Sequence, residues 1–262
     1  MESRTNRPTA RDLAKVPAVT LGFWLIKVAA TTLGETGGDW VTMSLNLGYL
    51  VGTAIFAALF VALVFGQVKA GRFHPLLYWA TIVATTTLGT TLADFFDRSM
   101  GVGYPGGVGI IVVLLVASIA VWHRVEGTVS VQSITTPRAE WFYWVTILFS
   151  QTLGTALGDW LAGTDRGGMS LGYEKAAIIF GAALLLVAAC YFWTRLSRTW
   201  LFWLAFVLTR PLGATVGDFL DKPAAQGGLE MSRLYASLAL LAFMAVCIAL
   251  IPQRRSADTP PS

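Results

Sequence analysis

Four aspartates of this 262-residue chain recur in one setting. Asp39, Asp94, Asp159 and Asp218 each stand eighth in a nine-residue string. The strings read Thr-Leu-Gly-Glu-Thr-Gly-Gly-Asp-Trp from Thr32, Thr-Leu-Gly-Thr-Thr-Leu-Ala-Asp-Phe from Thr87, Thr-Leu-Gly-Thr-Ala-Leu-Gly-Asp-Trp from Thr152 and Pro-Leu-Gly-Ala-Thr-Val-Gly-Asp-Phe from Pro211. Stepping back by fours from each aspartate gives Glu35, Thr31 and Lys27; Thr90 and Thr86; Thr155 and Gln151; Ala214 and Arg210. Residues four apart share a helix face, so each string predicts a polar stripe ending in a carboxylate. Four such stripes around one axis would make an acidic ring that concentrates small cations. Oxygen ligands suit Mg, Ca or Mn better than soft metals. In that expectation Asp39, Asp94, Asp159 and Asp218 hold the ion, and Glu35, Asp97 and Asp221 add carboxylate oxygens. Thr90 and Thr155 supply neutral oxygens deeper in. Lys27 and Arg210 either hold carboxylates until substrate displaces them or mean that the substrate is not a cation.

The same residues admit a purely structural account, and both stay open here. Gly34 and Gly38, Gly89 and Ala93, Gly154 and Gly158, Gly213 and Gly217 are small residues four apart, a spacing that lets helix backbones approach closely. The aspartates fall near helix ends, where a carboxylate reaches interfacial water, and Arg98, Lys222, Lys27 or Arg210 can pair with them. Trp24, Trp79, Trp144 and Trp203 each lie fifteen residues before an aspartate. They are expected in the aromatic belt at the cytoplasmic membrane interface.

What must position these stripes is a set of long apolar helices. Hydrophobic residues make up 55% of the chain and charged residues only 13%, where soluble domains carry roughly a quarter charged residues. Apolar runs of bilayer-spanning length fall at about 18–40, 46–66, 74–96, 106–122, 139–162, 172–193, 199–220 and 230–251. The expected fold is an all-α integral membrane protein of eight transmembrane helices, built from four parallel two-helix repeats in two four-helix halves. The repeats span 18–66, 74–122, 139–193 and 199–251, between cytoplasmic tails at 1–17 and 252–262. The N-terminal stretch has no short apolar core with a small-residue cleavage site, which predicts a retained tail. Alternation supports the halves: Met43–Tyr49 and Met169–Tyr173 follow the first and third aspartates, whereas Asp94–Arg98 and Asp218–Lys222 mark the second and fourth.

The fourfold Gly-Asp-aromatic string resembles that of an uncharacterised family of bacterial membrane proteins with four tandem repeats of two membrane segments. The resemblance covers nearly the whole chain, with Ala93 departing from the glycine of the other copies. It implies the architecture and no particular activity.

Other chemistries fit poorly. Gly101, Gly103 and Gly106 have dinucleotide-loop spacing, but that motif needs a strand before and a helix after it in a βαβ unit. Intramembrane aspartyl proteases use two aspartates in distinct contexts, one in a Gly-x-Gly-Asp string, which is missing here. Cys190 and Cys247 stand alone in apolar runs. No catalytic residue and no cofactor is expected. The net charge of +4 is spread over short loops, which excludes a nucleic-acid face. The expected partners are membrane lipid and a small inorganic cation as substrate; a homo-oligomer stays open. The function expected is a transporter or channel for a small cation, divalent metal ions included, in the bacterial inner membrane; the alternative is a structural or interaction membrane protein.

Lysine and arginine set the orientation. Twelve lie in the tails and in the loops near 67–74, 123–138 and 194–199, against five (Arg98, Arg166, Lys175, Lys222 and Arg233) toward the other side. The excess puts both termini in the cytoplasm. Cysteine labelling at Gly103 and in the C-terminal tail should therefore report opposite sides, and a common side would overturn this orientation.

Overall fold

The computed structural model describes residues 15–254; most of both expected tails lies outside these. Among the described residues there are eight long helices and no strand. They are α1 (Leu21–Asp39), α2 (Gly48–Lys69), α3 (Pro75–Asp94), α4 (Tyr104–Glu126), α5 (Pro137–Ala162), α6 (Tyr173–Trp193), α7 (Arg198–Asp221) and α8 (Arg233–Leu250).

Local chemistry starts and stops them. Thr20 and Thr136 cap α1 and α5 by accepting bonds from the Phe23 and Ala139 amides, each at 3.2 Å. Pro75, Pro105 and Pro137 occupy first turns, where the missing N–H costs no helix bond. Gly127 ends α4 at φ 75°, a left-handed conformation that glycine adopts without strain. Thr32, Thr87 and Thr152 donate their hydroxyls to the carbonyl four residues back. In α7 the same position is Pro211, which has no N–H to donate.

The four motif helices α1, α3, α5 and α7 form an inner ring, in which each packs on the next and α7 closes on α1. The contacts cross from α3 to α5 and from α7 to α1 as fully as they run within either half, so the expected halves are not separate bundles. The outer helices follow a shifted rule. α2 packs on α3, α4 on α5, α6 on α7, and α8 on α1. Each repeat thus lends its second helix to the following repeat, and the last lends to the first.

Glycine makes the inner ring this tight. A Cβ at Gly34 would strike Thr86, one at Gly89 the Gln151 and Thr152 backbone, one at Gly154 Arg210 and Pro211, and one at Gly213 Thr31. Gly38 faces Thr90, Gly158 faces Ala214 and Thr215, and Gly217 faces Glu35. In every case the stripe of one motif helix seats on the small residues of the helix before it in the ring. The polar stripes are thereby turned inward.

Helix ends follow a different pairing from the sequence. After Asp39 and Asp94 the chain continues in π-helical turns, Trp40–Ser44 and Phe95–Ser99. After α5 and α7 it folds back along the helix, with the Met169 amide bonded to the Trp160 carbonyl (2.7 Å) and the Leu229 amide to the Phe219 carbonyl (2.8 Å). By helix ends repeat one therefore pairs with two and three with four, although the strings pair one with three.

Six of the eight helices are long and apolar enough to cross a membrane; α1 and α5 are not among them. Lys27, Glu35 and Asp39 in α1 and Glu140, Gln151 and Asp159 in α5 are buried, so other parts of the protein, not solvent, receive their polar groups. The outer helices show the reverse, with Leu50, Val113, Leu185 and Leu238 exposed.

Enlarging Gly89 to Ala places a methyl 2.9 Å from the α5 backbone, which has no room to yield. We expect a loss of about 1–3 kcal/mol, the range for overpacked cores, read from unfolding of the purified protein in detergent. Gly66→Ala, whose Cβ meets only Leu77 at 3.8 Å, should be neutral or mildly stabilising.

Candidate functional site

The inner stripes stack in levels of four residues, one from each motif helix. At the N-terminal end the level is Phe23, Tyr78, Tyr143 and Phe202, all buried. With the tryptophans beside them they make a closed circuit. Phe23 meets Trp79 at 5.5 Å between ring centroids, Tyr78 meets Trp144 at 5.7 Å, Tyr143 meets Trp203 at 6.3 Å, and Phe202 meets Phe23 at 6.3 Å. The Tyr78 and Tyr143 hydroxyls share a hydrogen bond of 2.6 Å. Trp79, Trp144 and Trp203 are at most 3% exposed. The expected aromatic belt is therefore corrected for these three. They point into the ring because the small residues draw the motif helices together, and only Trp24 remains half-buried.

Three further segments cover this end. The Trp203 indole donates to the Val129 carbonyl (3.0 Å) and the Trp79 indole to the Gln253 side chain (3.1 Å). Lys15 pairs with Glu140 at 2.6 Å and donates to the Val68 carbonyl at 3.0 Å. The Ala18 amide bonds the Arg254 carbonyl at 2.8 Å. Where the expected tails fall within the described residues, they are packed parts of the bundle.

Inward, the second level is Lys27, Ile82, Ile147 and Phe206, all fully buried. The Lys27 ammonium lies 4.2 Å from the centre of the Phe206 ring and donates to Gln151 Oε1 at 3.3 Å. It has no carboxylate partner among the described residues. A cation over an aromatic face recovers part of its lost hydration.

Arg210 occupies the middle of the ring, with no exposed surface. Its Nη2 pairs with Glu35 Oε2 at 2.9 Å and donates to the Thr155 hydroxyl at 2.6 Å and to the Thr90 hydroxyl. Its Nη1 donates to the Thr31 carbonyl at 3.1 Å. The Thr90 hydroxyl in turn donates to Glu35 at 3.2 Å. One guanidinium thus ties all four motif helices, using the several donors of its planar fork.

At the C-terminal end the four aspartates come together, each at most 4% exposed. Two cations join them in pairs. Lys222 pairs with Asp39 and, at 3.0 Å, with Asp218. Arg98 pairs through Nε with Asp94 at 2.6 Å and through Nη2 with Asp159 at 3.6 Å. Each bridging cation lies four residues after an aspartate of its own helix run, one turn further along. Carboxylate oxygens of Glu35, Asp39 and Asp218 lie within 4.8 Å of one another.

Asp39, Asp94, Asp159, Asp218, Glu35, Thr90 and Thr155 are therefore all inside the ring, but the arrangement is not a bare acidic ring. The four aspartates converge through Lys222 and Arg98, and those side chains take the space between them. Thr90 and Thr155 give their hydroxyls to Arg210. Of the two added carboxylates, Asp221 pairs with Arg233 at 2.9 Å, whereas Asp97 is buried against Gly107 with no hydrogen-bond partner among the described residues. The aspartates do not lie open to solvent, since each is at most 4% exposed.

An all-helical chain in which four repeated helices enclose a ladder of aromatic, cationic and carboxylate levels is defined by its repeat. The chain belongs to the family described as Repeat of Unknown Function (DUF347), matching it at residues 22–73, 77–128, 142–197 and 201–255. No curated protein and no solved structure matches it.

Removing one member of a buried pair leaves the other uncompensated, at a cost of about 3–5 kcal/mol. Arg210→Met should lose that much stability in detergent unfolding. Combining it with Glu35→Gln should recover part of the loss, giving a coupling in the double-mutant cycle that independent sites would not show.

Proposed function

We propose that this chain is a multi-pass transporter of a small inorganic cation in the bacterial inner membrane, with eight crossings and both termini cytoplasmic. One observation carries the reading: the four repeated aspartates, from four helices, meet in a buried level whose counter-ions are side chains. A cation arriving at that level meets carboxylates already gathered and exchanges with a tethered ammonium or guanidinium. Buried charges inside a membrane protein are costly and concentrate on pathways for ions.

The membrane setting draws on the outward apolar surface. Leu50, Val113, Leu185, Leu186, Phe192 and Trp193 are each at least 64% exposed, far more apolar surface than a soluble monomer presents. In lipid that surface is matched. α1 and α5 cross inside the ring, where their polar stripes meet other protein.

The four motif helices run the same way, since their aromatic residues meet at one end and their aspartates at the other. With the termini cytoplasmic, the aspartate level faces outward and the aromatic level faces the cytoplasm. This arrangement is closed at both ends, and passage requires the aspartate level to open outward and the circuit of Phe23, Tyr78, Tyr143 and Phe202 to part.

A second reading, a structural or interaction protein, is favoured by the completeness of the internal pairing, since each motif aspartate already has a cationic partner. Flux decides between them. Purified protein in liposomes should admit at least one of Mg2+, Mn2+, Ca2+ or Na+, measured with trapped dyes. Asp39→Asn and Asp218→Asn should each cut that flux by about tenfold or more, the scale of one lost charge in a dry site. Asp165→Asn, in an outer loop where it pairs with Arg166 and accepts from the Tyr104 hydroxyl at 3.3 Å, should leave it unchanged. Unaltered flux in all four motif Asp→Asn variants would give the protein to the second reading.

A further inference from the structure

The two cation-bridged pairs occupy matching positions but differ in chemistry. Asp39 and Asp218 are joined by a lysine; Asp94 and Asp159 are joined by an arginine. One level deeper, the first pair has Glu35 beneath it, and the second has only the hydroxyls of Thr90 and Thr155, both committed to Arg210. We propose that the bridges have different tasks. Glu35, Asp39 and Asp218 form the seat for a divalent cation, Lys222 is a tethered ammonium that fills the seat until the ion displaces it, and Arg98 is a fixed strut. The proposal rests on the transport reading and names its substrate class and its competing group.

Four observations support this division. Three carboxylates offer oxygens within 4.8 Å of one another, the all-oxygen environment that Mg2+, Mn2+ and Ca2+ take in preference to softer ions. Asp39 is fully buried, and its Oδ1 has no hydrogen-bond partner among the described residues while its other oxygen holds Lys222. One carboxylate oxygen of the three-residue cluster is therefore unused. The charges also fit. With the three carboxylates ionised, Arg210 and Lys222 leave the group at minus one; when Lys222 leaves, it stands at minus two, which a divalent ion neutralises.

The fourth observation is leverage. Lys222 is the first residue beyond α7, with extended backbone at φ −73°, ψ 155°. Its ammonium is a point charge on a four-carbon stem that can swing outward without unwinding a turn. Arg98 sits within the π-helical turn Phe95–Ser99 and spreads its guanidinium over two carboxylates. Such a planar, two-sided contact is poorly suited to leaving and returning.

The test is equilibrium binding of Mn2+ to the purified full-length protein in detergent, with free Mn2+ followed by electron paramagnetic resonance. Lys222→Gln removes the competitor, so Mn2+ affinity should rise by about tenfold or more. A lysine of purely structural importance would give the opposite sign. Lys222→Arg keeps the charge and the fold but installs a group that does not yield, and affinity should fall about tenfold. Arg98→Lys should change it by less than about twofold. Asp39→Asn should abolish binding, with Asp159→Asn far milder. Equal effects at Lys222 and Arg98, or weaker binding in Lys222→Gln, would overturn this assignment while leaving cation flux by the wild type, and the transport reading, intact. If Lys222→Gln does not fold, Lys222→Arg against Arg98→Lys decides the matter alone. No flux of any tested cation through the wild type would defeat the transport reading, and this proposal with it.

Discussion

The seating of one helix's stripe on its neighbour's glycines governs everything else in this structure. At Gly34, Gly89, Gly154 and Gly213 a backbone stands where a side chain would otherwise be, and the next helix fills that space with Thr86, Gln151, Arg210 or Thr31. Close packing of this kind leaves no aqueous lumen to hydrate the polar groups it encloses. They must satisfy one another, and most in the four levels inward of the aromatic seal do so, by ring face, hydroxyl, carbonyl or counter-ion; the Thr86 hydroxyl, Gln151 Nε2, Arg210 Nε and Asp39 Oδ1 have no hydrogen-bond partner among the described residues. Small-residue contacts are the usual means of bringing helices together where the surroundings offer no hydrophobic drive. Here they also decide which face becomes the interior.

Charge is nearly, but not fully, balanced along the axis. Five carboxylates (Glu35, Asp39, Asp94, Asp159 and Asp218) face four cations (Lys27, Arg98, Arg210 and Lys222), and all but Arg98 are buried. With every group counted as charged, the aspartate end holds minus two, and Lys27, far down the ladder against Phe206, brings the whole to minus one. A buried pair is rarely more stable than apolar packing of the same volume. Keeping this many ions in one interior is therefore an expense in stability that packing alone does not require, which is the physical weight behind a functional interpretation.

Much of this was legible in the sequence. The eight helices, the stripes at four-residue steps and the close-packing glycines follow from periodicity and repetition. Three things did not. The tryptophans dominated the aromatic pattern and suggested an interfacial belt, yet the aromatic residue just before each one lies sixteen residues from the aspartate, on the stripe itself. One further step of four from Lys27, and two from Thr86, Gln151 and Arg210, would have led to Phe23, Tyr78, Tyr143 and Phe202. The bridging role of Arg98 and Lys222 was half visible, since each stands one turn beyond an aspartate; that each also reaches a neighbouring helix depends on the ring. The lending of each outer helix to the next repeat left no trace at all. Those helices are largely apolar, and single hydroxyls such as Ser118 on Thr146 and Ser237 on Thr36 make no stripe that would name the neighbour.

That lending gives the molecule an order without a beginning. α8 completes α1 as α2 completes α3, and the Ala18 amide already bonds the Arg254 carbonyl. Severing the chain at the Val129–Ile134 loop and joining the old termini would produce a circular permutant with the same neighbours in the same sequence around the axis. By the same geometry, a single half of four helices carries one outer helix with no motif helix of its own to rest on and one motif helix with nothing behind it. Two such halves satisfy each other completely. The present chain is in that sense a dimer written as one polypeptide, and the covalent link at its middle lets the two bridges differ, lysine in one and arginine in the other.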